Sequence, residues 1–262
     1  MARNSPPTAL SIAGSDSGGG AGIQADLKVF ARVGVHGMTA ITAITAQNTV
    51  GVEAVEAISP RVIVAQVKAV AEDIGVDAVK IGMLGTAETV EAVVEALAYV
   101  GEAPVVVDPV MVSESGAVLL DQGARVALIE RLLPLTTVAT PNLPEARVLT
   151  GLGEGASQEE LARAVVALGP KAVVVTGGHS EGLVDLFVDG EQVVEIPGER
   201  HPDGAAHGSG CTHSSALAAY LARGEEPLEA ARKARVVASE AVGAGLRGIG
   251  KGPGPVNALG LE

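Results

Sequence analysis

One short segment, His207-Gly208-Ser209-Gly210-Cys211-Thr212, combines two glycines with the only cysteine of the chain. An Ala/Leu-rich stretch over Ser214–Ala222 follows and predicts a helix. At a helix start, Gly208 and Gly210 would expose backbone N–H groups, and the helix dipole would favour negative charge there. The segment therefore predicts a nest for a phosphoryl group in transfer.

The position of Cys211 allows two interpretations. The helix dipole would lower the pKa of the thiol and make it a usable base or nucleophile. Alternatively, Cys211 is a small buried hydrophobic side chain, because free cysteine is among the most buried residue types. Position alone does not decide between them.

A second glycine-rich segment, Gly14–Gly22, lies between a predicted strand and a predicted helix. Its glycines allow the backbone to approach a ligand closely, and the helix start would suit an anion or a polar ring. The segment matches neither the Walker A spacing nor G-x-G-x-x-G in its usual context. It predicts a ligand-binding turn, with an ordinary turn as the alternative.

Oxygen ligands follow two other predicted strands. Asn142 and Glu145 are three residues apart, on one face of a starting helix, and could hold Mg²⁺ directly or through water. A helix cap with an early acid is the alternative. Asp108 ends another strand at its carboxyl edge, which alone is weak evidence for a site.

Two further patterns indicate other chemistries, but their context disfavours them. Gly178-His179-Ser180-Glu181-Gly182 fits the G-x-S-x-G nucleophile elbow, which requires a helix next, whereas Leu183–Val188 is typical of a strand. A zinc site from His201, His207 and His213 is disfavoured because the spacing matches no close metal-binding pattern.

The elements that position these residues alternate between short β-branched runs and Ala/Glu/Leu-rich stretches of helical spacing. Strands are predicted at Ala9–Ala13, Met38–Ala46, Ala78–Ile81, Val105–Val107, Val138–Ala139 and Ala172–Val175. Helices are predicted at Gln24–Val33, Arg61–Ile74, Ala87–Val100, Ala124–Leu133 and Glu159–Leu168. This order predicts an α/β fold, with a parallel sheet covered by helices on both faces and ligands beyond the carboxyl ends of its strands.

Local signals add detail to this pattern. Ser59, before a proline, and Thr86, before two early acids, predict helix N-caps. Leu183–Val188 and Gln192–Ile196, joined through Asp189-Gly190, predict a hairpin with a type I′ turn. That hairpin would add an antiparallel edge to the sheet.

Composition limits the class of protein. With 262 residues, 47% hydrophobic and 19% charged, the chain predicts one globular domain over residues 1–262. A net charge of -13 and only 2% aromatic residues argue against a nucleic-acid partner. One cysteine, no basic-apolar leader and no apolar run of membrane length predict a cytoplasmic protein that does not enter a membrane.

Several motifs also occur in a fixed order along the chain. They are Ala13–Lys28, Thr45–Thr49, Lys80–Leu84, Val107–Met111, His207–Thr212 and Gly248–Val256. Together they closely resemble the bacterial and archaeal hydroxymethylpyrimidine/phosphomethylpyrimidine kinases of thiamine biosynthesis, in the ribokinase-like superfamily. The resemblance implies a three-layer α/β/α sandwich, ATP with Mg²⁺, a small-molecule pyrimidine substrate phosphorylated twice, and a homodimer.

The resemblance also implies roles for single residues. The family's pyrimidine-pocket positions correspond to Gly14, Ala21, Asp26, Gln47, Met83 and Val110. Cys211 corresponds to its catalytic base, and Gly208 and Gly210 resemble its anion hole. The side chain of Gln47 can donate and accept hydrogen bonds at once, as an aminopyrimidine edge requires.

Other positions correspond to ATP and metal binding. Asn142 and Glu145 match the superfamily's N-x-x-E element, with Asp108 as a second carboxylate for the metal. The resemblance also implies that Thr176, Gly208 and Ser209 face the nucleotide.

One position departs from the family pattern. The family usually has Lys before the Gly-Gly-His at 177–179, whereas this chain has Thr176. A phosphate-side cation is therefore missing. A pyridoxal kinase and a catalytically silent pyrimidine-binding regulator are the two rival functions.

Overall fold

The computed structural model describes residues 5–112, 116, 119–178, 183–202 and 204–261. Its strands are β1 (Thr8–Ala13), β2 (His36–Ile41), β3 (Ala43–Gln47), β4 (Val52–Ala57), β5 (Ala78–Ile81), β6 (Val105–Val107), β7 (Val138–Ala139), β8 (Ala172–Val175), β9 (Asp185–Val188) and β10 (Val193–Ile196). Its α-helices are α1 (Gly22–Val33), α2 (Pro60–Asp73), α3 (Ala87–Leu97), α4 (Gln122–Ala127), α5 (Leu143–Thr150), α6 (Gln158–Val166), α7 (Ser209–Ala222) and α8 (Pro227–Gly243).

Eight strands form the central sheet in the order β10-β9-β8-β7-β6-β5-β1-β2. From β8 to β2 the neighbours are parallel, while β9 and β10 pair antiparallel at one edge. The predicted parallel sheet with an antiparallel edge is confirmed.

Alternation along the buried strands creates two helical layers. In β1, Leu10 and Ile12 belong to a core with α2, α3 and α6, whereas Ala9 belongs to a core with α1, α7 and α8. Because successive side chains of a strand face opposite sides, the sheet lies between these two cores. The three-layer α/β/α sandwich is confirmed. No helix in the described part of the chain is long and apolar enough to cross a bilayer.

The single strand predicted over Met38–Ala46 is wrong. It divides into β2, in the central sheet, and β3, which pairs with β4 in a separate two-stranded sheet. Thr42 causes the break: its N–H donates to the Ala13 carbonyl at 3.0 Å, and its hydroxyl donates to the Met83 carbonyl at 2.9 Å.

The turn of the predicted hairpin also differs. β9 and β10 are joined by four residues, and Gly190 has φ +90° while Asp189 does not have a positive φ. A type I′ turn needs positive φ at both central residues, so that prediction is wrong. The Asp189 carboxylate holds the turn by accepting from the N–H groups of Glu191 and Gln192, each at 3.1 Å.

The two cap predictions have different outcomes in detail. Ser59 is the N-cap of α2, but its side chain makes no capping hydrogen bond. Thr86 caps α3 through its side chain, which accepts from the Thr89 N–H. Both helix starts are confirmed.

Candidate active site

A cavity of about 420 Å³ opens beyond the carboxyl ends of the parallel strands. The residues just after five strands line it: Gly14, Met83, Asp108, Thr140 and Thr176. The topology of the sheet predicts a ligand site at this edge. We call the two sides of this cavity the Gly14 end (Gly14, Asp16, Gln47, Met83, His207) and the Thr176 end (Thr176, Asp185, His213, Arg235).

Asp16 organises the glycine-rich loop at the Gly14 end. Its carboxylate accepts from the N–H groups of Gly18 at 2.8 Å, Gly20 at 3.1 Å and Ala21 at 2.9 Å. His207 Nε2 lies 3.1 Å from the same carboxylate, 191 residues further along the chain. Burial raises the pKa of Asp16, but the hydrogen bonds from His207 and the backbone outweigh burial, so the pKa lies below its ordinary value.

The loop before α7 packs directly on this glycine-rich loop. Gly208 is the N-cap of α7 in the left-handed region, with φ +87°. A Cβ on Gly208 would overlap the carbonyl oxygen of Gly20, and a Cβ on Gly20 would overlap the His207 ring. The close approach of the two backbones therefore requires glycine on both sides.

Five of the six predicted pyrimidine-pocket residues line the cavity together: Gly14, Ala21, Gln47, Met83 and Val110. A Cβ on Gly14 would lie 2.6 Å from the Met83 methyl group, so the glycine leaves room for the Met83 side chain. Ser17 fixes the backbone of Gln47 by accepting from its N–H at 2.8 Å and donating to its carbonyl at 2.6 Å.

Asp26, the sixth, lies elsewhere. It is absent from the lining and completely buried beneath the cavity. Its carboxylate accepts from Ser11 Oγ at 2.5 Å, Ser215 Oγ at 2.6 Å and Lys80 Nζ at 3.0 Å. Protein donors thus hold both carboxylate oxygens of Asp26. The expectation that Asp26 contacts a ring in the cavity is therefore corrected, because its side chain lies below the cavity and can act on a ring only indirectly.

Cys211 lies in the first turn of α7 and lines the cavity. Burial is the main cause that raises the pKa of its thiol, to about 12; the charges of Asp26 and Asp108 act in the same direction, while Lys80 and a hydrogen bond from the Gly22 backbone oppose them. The expectation that the helix start lowers this pKa is wrong, since loss of solvation outweighs the helix dipole.

Asn142 and Glu145 form a capping box at the start of α5. The Asn142 N–H donates to Glu145 Oε2 at 2.9 Å, and the Glu145 N–H donates to Asn142 Oδ1 at 2.8 Å. The cap interpretation is therefore confirmed. Both residues nevertheless line the cavity, so the cap does not exclude a ligand there.

Glu145, which is partly buried, and Asp108, which is buried, are two carboxyl groups that affect each other. Burial, then the charge of Asp108, raises the pKa of Glu145 to about 8. Burial also raises the pKa of Asp108, whose Oδ2 accepts from Ser214 Oγ at 3.0 Å. A divalent cation would favour the charged form of both. Among the described residues no three His, Cys, Asp or Glu side chains converge, so such a cation would keep positions for water or phosphate oxygens.

The Thr176 end contains a buried polar cluster that the sequence did not indicate. Asp185 Oδ1 accepts from the Gly177 N–H at 2.8 Å and lies 3.5 Å from Arg235 Nη1. Asp185 Oδ2 lies 3.6 Å from His213 Nε2. Within the described ranges, Asp185 Oδ2, both His213 ring nitrogens and Arg235 Nε are buried without a hydrogen-bond partner. Burial lowers the pKa of His213 below its ordinary value, and Arg235 adds to this against the opposing charge of Asp185.

The two disfavoured chemistries gain no support. His201 contacts Ser239, while His207 and His213 face different carboxylates, Asp16 and Asp185. Ser180 of the G-x-S-x-G pattern lies outside the described residues, but strand β9 follows it where an elbow needs a helix.

Comparison with known proteins gives a consistent result. A family model described as phosphomethylpyrimidine kinase matches residues 16–257. A hydroxymethylpyrimidine/phosphomethylpyrimidine kinase of Rhizobium meliloti is 51% identical over 255 residues, which cover 95% of this chain and 96% of that protein. One from Streptomyces coelicolor is 46% identical, covering 96% and 94%.

Solved structures agree. A phosphomethylpyrimidine kinase from Clostridium difficile matches with a TM-score of 0.79 and 44% identity, covering 90% of this chain and 99% of that chain. A pyridoxal kinase from Staphylococcus aureus in complex with ADP matches with a TM-score of 0.89 and 35% identity, covering 98% and 95%.

Proposed function

The chain belongs to the phosphomethylpyrimidine kinase family, and we propose that it transfers phosphate from ATP twice. The first acceptor is the hydroxymethyl group of 4-amino-5-hydroxymethyl-2-methylpyrimidine, and the second is the resulting monophosphate. One observation supports this most: a single cavity joins the pocket around Gln47 and Met83 to the N-terminus of α7. Acceptor and phosphoryl group can therefore meet in one cavity.

The pyrimidine would bind at the Gly14 end. Met83 and Val110 offer apolar walls, and the Gln47 amide offers a donor and an acceptor to the ring edge. Gly14 and Ala21 leave room for the ring because their side chains are small.

The transferred phosphoryl group would lie at the start of α7. The first helical hydrogen bond runs from the Thr212 N–H to the Gly208 carbonyl at 2.9 Å. The N–H groups of Gly210 and Cys211 precede it, so the helix itself provides them no acceptor. They can receive the charge that develops on the phosphoryl oxygens.

Asp108 and Glu145 would hold Mg²⁺. When bound there with ATP, Mg²⁺ neutralises phosphate charge and orients the nucleotide. The residues fit this ion, because it would relieve the repulsion that contributes to the raised pKa of Glu145. Asn142, Thr176 and Ser209 line the same cavity and would contact the nucleotide.

Arg235 compensates for the missing lysine at position 176 in this proposal. Its guanidinium lines the cavity and lies 3.5 Å from the carboxylate that binds the N–H of Gly177, the neighbour of Thr176. A cation is thus present at the Thr176 end, supplied by α8.

Cys211 would accept the proton of the substrate hydroxyl in the first transfer only. The monophosphate acceptor of the second transfer already carries a charge of about -1.5 to -2 near neutral pH and needs no base. Since the thiol pKa is about 12 in the ligand-free protein, only a small fraction of Cys211 is thiolate near neutral pH, and this role should make the first transfer depend on pH.

We further propose a homodimer, formed through the β3–β4 sheet. This sheet carries exposed apolar side chains, with Ile44 51% and Val55 52% exposed, and Val50 in its turn 62% exposed. Apolar surface of this kind often marks an interface. Sedimentation velocity on the wild type and Val55→Lys tests it, with a monomeric wild type as the contrary result.

Mass spectrometry of products tests the function. The protein, ATP and Mg²⁺ are incubated with hydroxymethylpyrimidine or with pyridoxal, and Asp108→Asn purified in parallel controls for contaminating kinases. We expect pyrimidine monophosphate, then diphosphate. Phosphorylation of pyridoxal alone would favour the pyridoxal kinase function. Binding of the pyrimidine without product would favour a regulator.

A further inference from the structure

Below the cavity lies an ion pair with no contact to solvent. Lys80 Nζ is 3.0 Å and 3.1 Å from the two carboxylate oxygens of Asp26, and both side chains are 0% exposed. Lys80 also lines the cavity, whereas Asp26 does not. Lys80 therefore forms part of the cavity floor, and its carboxylate partner lies behind that floor.

The surrounding helices and strands fix this ammonium group. Lys80 lies on β5, directly opposite Ser11 of β1 in register, and Ser11 donates to Asp26. From the other side, Ser215 of α7 donates to the same carboxylate. Asp26 is thus held from two elements, and it holds Lys80 in turn.

Cys211 and Lys80 both line the cavity, and Cys211 lies on the face of α7 that binds the carboxylate partner of Lys80. Residues four apart on a helix share a face, so Cys211 lies one turn before Ser215 on the side of α7 that faces Asp26. Lys80 is the cation whose charge acts on the thiol, lowering its pKa against burial and against two carboxylates. Asp108, after the neighbouring strand β6, also lies within the influence of Lys80.

A buried ion pair is a poor source of stability, because removing both charges from water costs about as much as their attraction returns. An apolar pair of similar size would serve packing as well. The location of this pair at the floor of the cavity that Cys211 lines therefore points to a role in the chemistry of the site.

We propose that Lys80 is a positioning residue for the first phosphoryl transfer, in which its ammonium group, anchored by Asp26, stabilises the thiolate form of Cys211. This inference rests on the proposed function. The thiolate takes the hydroxyl proton, so an S–H bond forms as the substrate O–H bond breaks. The freed oxygen electron pair attacks the γ-phosphorus, and the bond to the ADP oxygen breaks. The second transfer has no such proton and does not depend on Lys80.

The single cysteine allows a test that needs no substrate. Iodoacetamide alkylates thiolates, so its rate with the intact protein between pH 7.5 and 9.5 reports the thiolate fraction of Cys211. We expect Lys80→Met to slow alkylation about tenfold or more at each pH, since a pKa rise of one unit reduces the thiolate tenfold. Lys68→Met, which removes a partly exposed lysine on α2, should react like the wild type.

The double variant Lys80→Met/Asp26→Asn leaves no unpaired buried charge and guards against misfolding of the single variant. It should also react more slowly than the wild type, because Lys80 affects the thiol more than Asp26 does. Single-turnover rates should fall about tenfold or more for the first transfer and stay within about threefold for the second.

Alkylation of the double variant at or above the wild-type rate would overturn the proposal. So would equal losses in both transfers, which would indicate packing only. If the wild type lacked kinase activity, the proposed function would fail, while the alkylation rates would still decide whether Lys80 stabilises the thiolate.

Discussion

The Gly14 end and the Thr176 end of the cavity differ in how their buried polar groups are satisfied. At the Gly14 end, the carboxylate of Asp16 accepts from three backbone N–H groups and contacts His207. At the Thr176 end, Asp185, His213 and Arg235 keep buried polar atoms without partners among the described residues. Buried groups of this kind carry a desolvation penalty until something bonds to them.

The difference indicates that the protein completes one end by itself and leaves the other to a ligand. The Gly14 end, where we propose that the pyrimidine binds, is held in shape without a ligand. The Thr176 end, where we propose that the nucleotide binds, has spare donors and acceptors, so nucleotide or ordered water would complete its hydrogen bonding. Substitutions should therefore damage the Gly14 end more severely than the Thr176 end.

The most damaging change should be Gly208→Ala, which breaks the contact between the two glycine loops. The new Cβ would overlap the Gly20 carbonyl at a φ of +87°, so we expect a loss of at least about 3 kcal/mol of unfolding free energy and of both transfers. Urea denaturation and product formation measure this.

Gly210→Ala is the matched control. Its Cβ would meet only Asp108 Oδ2, at 3.9 Å, so the variant should fold normally. Equal stability of the two variants would show that the close contact between Gly208 and Gly20 does not hold the two glycine-rich loops in place.

Cys211→Ala should have the next largest effect, confined to one step. If Cys211 is the base, the first transfer falls about 10²–10⁴-fold and the second changes little. Because the thiol pKa is about 12, the wild-type rate of the first transfer should also rise close to tenfold per pH unit between pH 7 and 9.

Cys211→Ser separates chemistry from packing, since serine keeps the size and loses the titration. A serine variant with normal rates, or a first transfer that does not change with pH, would mean that Cys211 only fills space.

Gln47→Leu should have a moderate effect at the Gly14 end. Loss of the amide leaves the ring edge without a partner, at about 1–3 kcal/mol, or roughly 5–150-fold in the KM for the pyrimidine. The KM for ATP should change little. Gln192→Leu, in the exposed β9–β10 turn, is the control. Equal increases in both KM values would contradict the assignment of the pocket.

The sequence predicted the residues of the Gly14 end better than those of the Thr176 end, because a site built from one continuous segment is visible in a sequence and a site assembled from distant segments is not. Gly14–Gly22, His207–Thr212 and Asn142–Glu145 are continuous motifs whose function depends on neighbouring residues. Asp185, His213 and Arg235 come from three elements, β9, α7 and α8, and no motif joins them. An arginine and a histidine inside alanine-rich helices were the signal available.

The errors in the fold have the same origin. Periodicity identified the buried parallel strands, because their β-branched runs are short and bounded. It did not reveal that Thr42 bonds to residues far away and divides one run into two strands, nor did it assign an element to Val52–Ala57 or Pro227–Gly243. The predicted direction of the Cys211 pKa shift was wrong because the burial of the thiol depends on the tertiary packing around α7.

The smallest predicted effect is at the Thr176 end, for His213→Phe. The folded pKa of His213 lies below its ordinary value of 6.5, so below about pH 6.5 the unfolded chain binds a proton that the folded protein does not. Folding stability then falls as pH falls, by up to about 1.4 kcal/mol per pH unit.

The phenylalanine variant should lose part of this pH dependence between pH 7 and 5.5 and change stability at pH 7 by about 1 kcal/mol or less. Urea denaturation at each pH measures it, with exposed His36→Phe as the control. An unchanged pH slope would show that His213 is not the group that resists protonation.

The contact between Asp16 and His207 has a consequence for biosynthesis on the ribosome. These residues are 191 positions apart, so at ordinary elongation rates His207 is made roughly 10–40 s after Asp16. Throughout that interval the nascent glycine-rich loop lacks the imidazole and the Gly208 backbone against which it packs. Strands β1 and β2 can pair early, but a nascent chain cannot hold the Gly14 end, the proposed pyrimidine pocket, in final form until translation has passed α7. The growing polypeptide is therefore kept from binding its substrate tightly until the groups that act on that substrate are in place.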